Sequence, residues 1–188
     1  MDDISNLSGK FLIALPGMGD PRFEKSVIYL CSHNSEGAMG LIINKSKGEI
    51  VISDLLEQVG IDGIVKVADT PVLDGGPVDI DRGFVLHTAD YYNAGTSLRL
   101  TETLALTSTK DVLEALTTSE APDMAVLAVG YSGWGGGQLE QEITANAWMV
   151  TDAKESLIFE IGLDDKWAKA LSYLGVTPDM LSHFGGTA

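Results

Sequence analysis

The chain is poor in positive charge and in cysteine, and both shortages narrow what it can do. Over 188 residues it carries 12 Lys and Arg against 27 Asp and Glu, a formal net charge of −15. Nucleic acid is held largely by basic side chains that displace counterions. The nearest approaches to a basic cluster here are the pairs Lys45/Lys47 and Lys166/Lys169. Direct nucleic-acid binding is therefore disfavoured, and so is attraction to anionic surfaces in general. The single cysteine, Cys31, excludes an internal disulfide and any Cys-x-x-Cys redox or zinc motif. Long apolar runs are missing too: the longest, residues 124–129, is far below the roughly 20 residues of a membrane-spanning helix. The opening MDDISNLSGK has acidic residues where a signal peptide needs basic ones. A cytoplasmic protein without membrane attachment is expected.

What is present is enough apolar residue, 45%, for one core, and the chain reads as a single domain over residues 1–188. Its first half reads as strands: KFLIAL, KSVIYLC and GLIIN, the last two separated by the turn-forming SHNSEGAMG. In GEIVISDLLEQVG a short helix is expected, with Ser53 as N-cap and Gly60 as its stop. PVLDGGPVDIDRGFVLH gives two strands around a Gly-Gly-Pro turn, and SLRLTETLALT more β structure. STKDVLEALTT reads as a helix opened by Ser108 and Asp111, and DMAVLAVGY as an apolar strand covered on both sides. A helix near residues 137–146, a strand at AWMV and a helix over DDKWAKALSYLG follow, the last burying Trp167, Leu171 and Leu174. Thr177 and Pro178 begin a final turn. Strands first and mixed helices later indicate α+β, not a doubly wound fold.

The densest signal is GYSGWGGGQLEQEI, residues 130–143, where five glycines surround an aromatic. Such a run lets a backbone bend sharply or come close to something. It lacks G-x-x-x-x-G-K-[ST] and stands too late in the chain for a dinucleotide fingerprint. Two readings of the helix that follows stand side by side. In one, Gln138 and Glu142 satisfy loop N–H groups and cap the helix while Leu139, Ile143 and Ala147 face inward. In the other, Trp134 is presented at the turn and lines a binding surface with Gln138 and Glu142. Glu140 points away from Glu142, so the two make no acid–base pair.

Cys31 and His33, two apart on a strand, are expected to share a face, and His87 could join them across a sheet. They are the candidates for an enzymatic alternative. Asp74, Asp79 and Asp81 fail the EF-hand pattern at Gly83 and read as turn formers. Asn44, after GLII, is expected either to take a left-handed conformation at a strand end or to hydrogen-bond a loop. No G-x-S-x-G or H-E-x-x-H motif is present.

The segments GKFLIALPGMGDPRFEKSVIYLCSHNSEGAMGLIIN, LDGGPVDIDRGFVLH, GYSGWGGGQLEQEITANAW and the LG…GGTA tail together resemble the AlgH/YqgE family of bacterial proteins over almost the whole chain. The sequence departs from the family at Gly136, where proline is expected. The resemblance implies a single α+β domain: a bifurcated, mostly antiparallel sheet, partly curled into a barrel and surrounded by helices. It implies no cofactor, no metal and no catalytic residues, and a transcriptional-regulator label in name only. Matching motif positions supply the candidate binding surface: Asn44, Gly75, Gly76, His87, Gly133, Trp134, Gln138 and Glu142. The expected function is a non-catalytic binding or regulatory module acting on a protein partner or small ligand.

Overall fold

KFLIA and VIYLC are apolar at nearly every position, as strands covered on both faces must be, and they form the centre of the first of two compact units. The computed structural model describes residues 6–65 and 67–182. Unit one comprises residues 1–45 and 132–188, and unit two residues 46–131. The fold is α+β, with antiparallel pairing throughout except for one parallel contact.

In unit one, β1 (Lys10–Ala14) lies between β2 (Val27–Asn34) and β10 (Trp148–Asp152), and β2 continues to β3 (Gly37–Ile42). Beyond β3 comes the second half of β9 (Ala125–Gly135). One face of these strands presents Leu12, Ile28, Leu30 and Ile42 to Trp134, Trp148 and Leu139 of α3 (Gln138–Thr144). Packing against β1 and β2 is also supplied by α5 (Lys166–Ser172), which follows α4 (Glu155–Phe159) and precedes α6 (Pro178–Ser182). Each large apolar side chain fully buried here stabilises the fold by about 1.5–3 kcal/mol.

In unit two, the first half of β9 pairs antiparallel with β6 (Val78–Thr88) and parallel with β5 (Pro71–Asp74). From β6 the ladder runs to β8 (Leu104–Thr107) and β7 (Ser97–Arg99), and from β5 to β4 (Ser46–Val51). Ile52 and Leu56 of α1 (Ile52–Gln58) and Val112 of α2 (Lys110–Ala115) form the core with Val72, Val85 and Leu127. Because β9 exchanges partners along its length, the sheet branches there.

Several boundaries differ from the sequence expectation. The SHNSEGAMG stretch is mostly strand: β2 runs to Asn34 and β3 begins at Gly37, leaving a two-residue turn. Val51, not Ser53, is the N-cap of α1, and its N–H is taken by the Asp54 carboxylate at 3.2 Å. Thr109, not Ser108, occupies the N-cap position of α2, and its side chain makes no capping bond. In α5 the buried residues are Lys166, Ala170 and Leu171, while Leu174 falls beyond the helix and is exposed. The GGTA motif lies outside the described residues.

Candidate functional site

The glycine run is not a loop between a strand and a helix. Strand β9 carries on through Gly133, Trp134 and Gly135, so only Gly136 and Gly137 separate it from α3. Ala38 pairs with Trp134 and Gly37 with Gly135. A Cβ at Gly136 would lie 2.6 Å from the Ser35 carbonyl oxygen, so a side chain here requires the hairpin turn or the strand to shift. What comes close to the glycines is therefore the turn of the β2–β3 hairpin.

Trp134 is buried, 7% exposed, and is not presented at the surface as one reading expected. Its indole Nε1–H donates to Glu142 Oε2 at 2.9 Å, and the Trp148 indole donates to the same oxygen at 2.8 Å. The two rings meet edge-on with centroids 6.1 Å apart. Gln138 Nε2 donates to the other Glu142 oxygen at 3.0 Å, while Gln138 Oε1 accepts the Gly135 N–H at 3.0 Å. One carboxylate thus collects three donors, and charge-assisted bonds of this kind are stronger than neutral ones. The capping alternative fails as well: Gln138 takes the N–H of Gly135, a strand residue, and Glu142 takes side-chain donors. No side chain caps α3, whose N-cap is Gly137; the inward face is Leu139 with Ile143 and Ala147, as expected.

Cys31 and His33 do not share a face. The β2–β3 register shifts between Leu30 and Ser32, so Cys31 is the extra residue of a bulge. His33, opposite Ala38, then lies on the side of Leu30 and Trp134. Its Nδ1 accepts the Leu7 N–H at 3.0 Å, which leaves Nε2 as the donor to Glu140 Oε1 at 2.7 Å. Cys31 is buried beside the Tyr29 carbonyl, and burial pushes its thiol up to about 12. A thiol in that state is no nucleophile at neutral pH.

Asn44 is a brace. Its Oδ1 accepts the Val27 N–H and its Nδ2 donates to the Lys25 carbonyl, both at 2.8 Å. That pins Lys25, whose φ of 53° is left-handed.

The other three candidate residues belong to unit two. Gly75 donates its N–H to the Val129 carbonyl, and the Gly76 carbonyl oxygen would be 2.4 Å from a Cβ at Gly130, where φ is 77°. His87 is sealed: Nδ1 donates to the Thr88 carbonyl at 2.9 Å and Nε2 accepts from Thr107 Oγ1 at 2.8 Å. Thr107 in turn takes the Ser97 hydroxyl, also at 2.8 Å. Burial lowers the His87 pKa, against the opposing pull of the Thr88 carbonyl, Asp90 and Asp111. Asp111 gathers hydroxyls from Tyr91, Thr96 and Thr109; burial alone would raise its pKa, but these donors bring it below the ordinary value. Among the described residues no group of three or more His, Cys, Asp or Glu is placed to hold a metal.

Two clefts among the described residues of unit one lie elsewhere, around residues 15–19. A cleft of about 550 Å³ is lined by Leu15, Pro16, Gly17, Ala145, Asn146, Met149 and Leu181. Its walls are fixed by the bond from the Leu15 N–H to the Ala147 carbonyl at 2.9 Å. A second cleft of about 300 Å³ shares Leu15 and Pro16 and adds Met18, Pro21, Glu24, Lys25 and Trp167. The sequence reading did not select this segment, although PGMGDP is a strong turn signal. Lys166 was also missed as a core residue: Nζ is buried between the carbonyls of Ile43 and Ile158 at 2.9 and 2.8 Å, and burial lowers its pKa to about 8. Its spacing of four from buried Ala170 is the signal that pointed inward.

The AlgH-like family model matches residues 11–179. A UPF0301 protein of Rhodospirillum rubrum is 47% identical over 182 residues, covering 97% of this chain and 94% of its own. One from Paracoccus denitrificans is 48% identical over the whole of both chains. The solution structure of AlgH from Pseudomonas aeruginosa superposes with a TM-score of 0.78 at 36% identity, covering 100% of this chain and 97% of that one. A crystal structure from Corynebacterium diphtheriae, 22% identical with a TM-score of 0.74 over 92% of this chain and 90% of that one, shares the fold.

Proposed function

The chain belongs to the AlgH-like family, and we propose that it is a non-catalytic binding or regulatory module that engages a small ligand or protein partner beside residues 15–17. The observation that carries this reading is the 550 Å³ cleft. Its size lies in the range of ligand pockets, and its lining is mainly apolar with Asn146 as the polar group, the usual composition of such sites. Main-chain bonding at Leu15 and Ala147 means that little ordering cost is left for binding. Support also comes from the residues offered for chemistry, since Cys31 is buried, His33 has both ring nitrogens bonded and His87 is sealed. A net charge of −15 favours a partner that is not nucleic acid. Cytoplasmic residence is part of the proposal; no helix among the described residues is long and apolar enough to cross a membrane.

The test is a fragment screen read on methyl resonances of Leu15, Met149 and Leu181, repeated on Ala145→Trp. Saturable shifts in the parent that vanish in the filled variant, with unchanged melting temperature, are expected. A parent whose three methyl groups respond to no fragment in a broad apolar panel sinks the proposal.

A further inference from the structure

The smaller cleft carries an inference independent of the larger one. Its walls are apolar at Pro16, Met18 and Pro21, with the indole of Trp167 on one side. Trp167 is held there because its Nε1–H donates to the Ala14 carbonyl at 2.9 Å. The Lys25 ammonium stands over that ring, 5.6 Å from its centroid. Lys25 makes no ion pair among the described residues, whereas Lys10 is paired with Asp152 and Arg22 with Asp20.

The backbone at Lys25 reinforces this. A non-glycine residue at φ 53° is strained, because its Cβ crowds the following carbonyl oxygen. Strain of that kind persists only where surrounding structure enforces it, and here Asn44 does so through the Lys25 carbonyl. The chain thus maintains a strained residue that places a cation without a carboxylate partner over an aromatic wall. In a protein of net charge −15 such a cation stands out. Glu24 also lines the cleft, so its charge offsets that of Lys25 and leaves no surplus for a polyanion.

We propose that this cleft binds an apolar monocarboxylate, with the carboxylate on Lys25 and the aromatic or aliphatic body against Trp167, Pro16 and Pro21. Two sources share this chemistry, a free organic acid and the C-terminal carboxylate of a peptide ending in an apolar residue. Nucleotides and other polyanions are rejected by Glu24.

The test uses the whole chain and follows the indole Nε1–H resonances of its tryptophans during titration with phenylacetate, with phenylacetamide as the uncharged counterpart. The expected result is a saturable shift at Trp167 alone, since it is the tryptophan that lines this cleft. The amide should bind at least about fivefold more weakly, the scale of one charge-assisted contact near solvent. Lys25→Met should lose a similar factor and Lys25→Arg should retain binding. A tetrapeptide ending in phenylalanine, free or amidated at its C-terminus, separates the two sources; a charge-dependent response to either acid supports the proposal. It is overturned by no saturable Trp167 shift with millimolar acid of either kind, by equal affinity for acid and amide, or by tighter binding of ADP than of phenylacetate. The acid–amide comparison needs no variant, so it stands even if Lys25→Met folds poorly. Failure here with methyl shifts intact in the larger cleft would leave the binding-module reading standing.

Discussion

Residues 133–137 and 15–19 are both rich in glycine, both belong to unit one, and end in opposite conditions. In the first, the space beside Gly136 and the donors of Trp134 and Gly135 are used by the chain itself, while a Cβ at Gly137 would meet nothing within 4 Å. The Ser35 carbonyl fills the space at Gly136, and Glu142 collects both indoles and Gln138. In the second, a Cβ at Gly19 would meet nothing within 4 Å, and two clefts flank the segment. Glycine density signals close approach in a sequence, but it does not say what approaches. A backbone neighbour at 2.6 Å, as at Gly136, closes the segment. The empty space at Gly19 and the ordinary 3.5 Å contact of Gly17 with the Asn146 carbonyl leave room, although Gly137 shows that empty space alone does not mark a cleft.

The largest effect that sharpens this contrast is expected at the carboxylate of the closed segment. Glu142→Ala leaves two buried indole N–H groups and the Gln138 amide without their acceptor, at an expected cost of about 3–5 kcal/mol in urea unfolding. Glu142→Gln keeps one carbonyl acceptor and should cost less than half of that. A loss under about 1 kcal/mol for the alanine variant would mean that the clamp does not hold this region together.

Lys166 and Trp167 place the boundary between closed and open within one peptide bond. Trp167 lines the small cleft, while Lys166 is sealed between two main-chain carbonyls. Burial lowers the Lys166 pKa in the folded chain to about 8 from 10.5. Between these values the unfolded chain holds the extra proton, so stability should rise with pH from about 8 to 10.5. The neutral amine has two N–H donors, which matches the two carbonyls. Subtracting the stability of Lys166→Met at each pH isolates the effect, expected at about 2–3 kcal/mol across the window. A difference that stays flat with pH would show that the ammonium reaches water.

Much of the fold was legible because continuous apolar runs and turn residues report burial directly. The strands KFLIA and VIYLC, the inward face of α3 and the stop at Gly60 follow from local pattern alone. The bulge at Cys31 was not legible, since nothing in VIYLCSH marks an extra residue, and it reverses the side on which His33 lies. The glycine run misled for a related reason: its partner, Ser35, is about 100 positions away in sequence, and only pairing in three dimensions brings it near. For Asn44 the hydrogen-bonding alternative holds and the left-handed one does not: the positive φ belongs to Lys25, which Asn44 bonds, and that could not be read from one chain position.

The smallest pair of effects tests the contrast most directly, because the same substitution is made in both segments. Gly136→Ala must displace the Ser35 carbonyl or bend β9, and a loss of about 1–3 kcal/mol is expected. Gly19→Ala meets no atom and does not sit at positive φ. The alanine there also restricts the unfolded chain more than glycine does, so stability should stay the same or rise by about 0.4–1 kcal/mol. Thermal unfolding of the two variants against the parent separates the cases. Opposite signs would support one segment closed by its own backbone and one left open for something else. A loss at Gly19 comparable with that at Gly136 would mean that residues 15–19 are also packed, and the clefts beside them would then be too constrained to serve as binding surfaces.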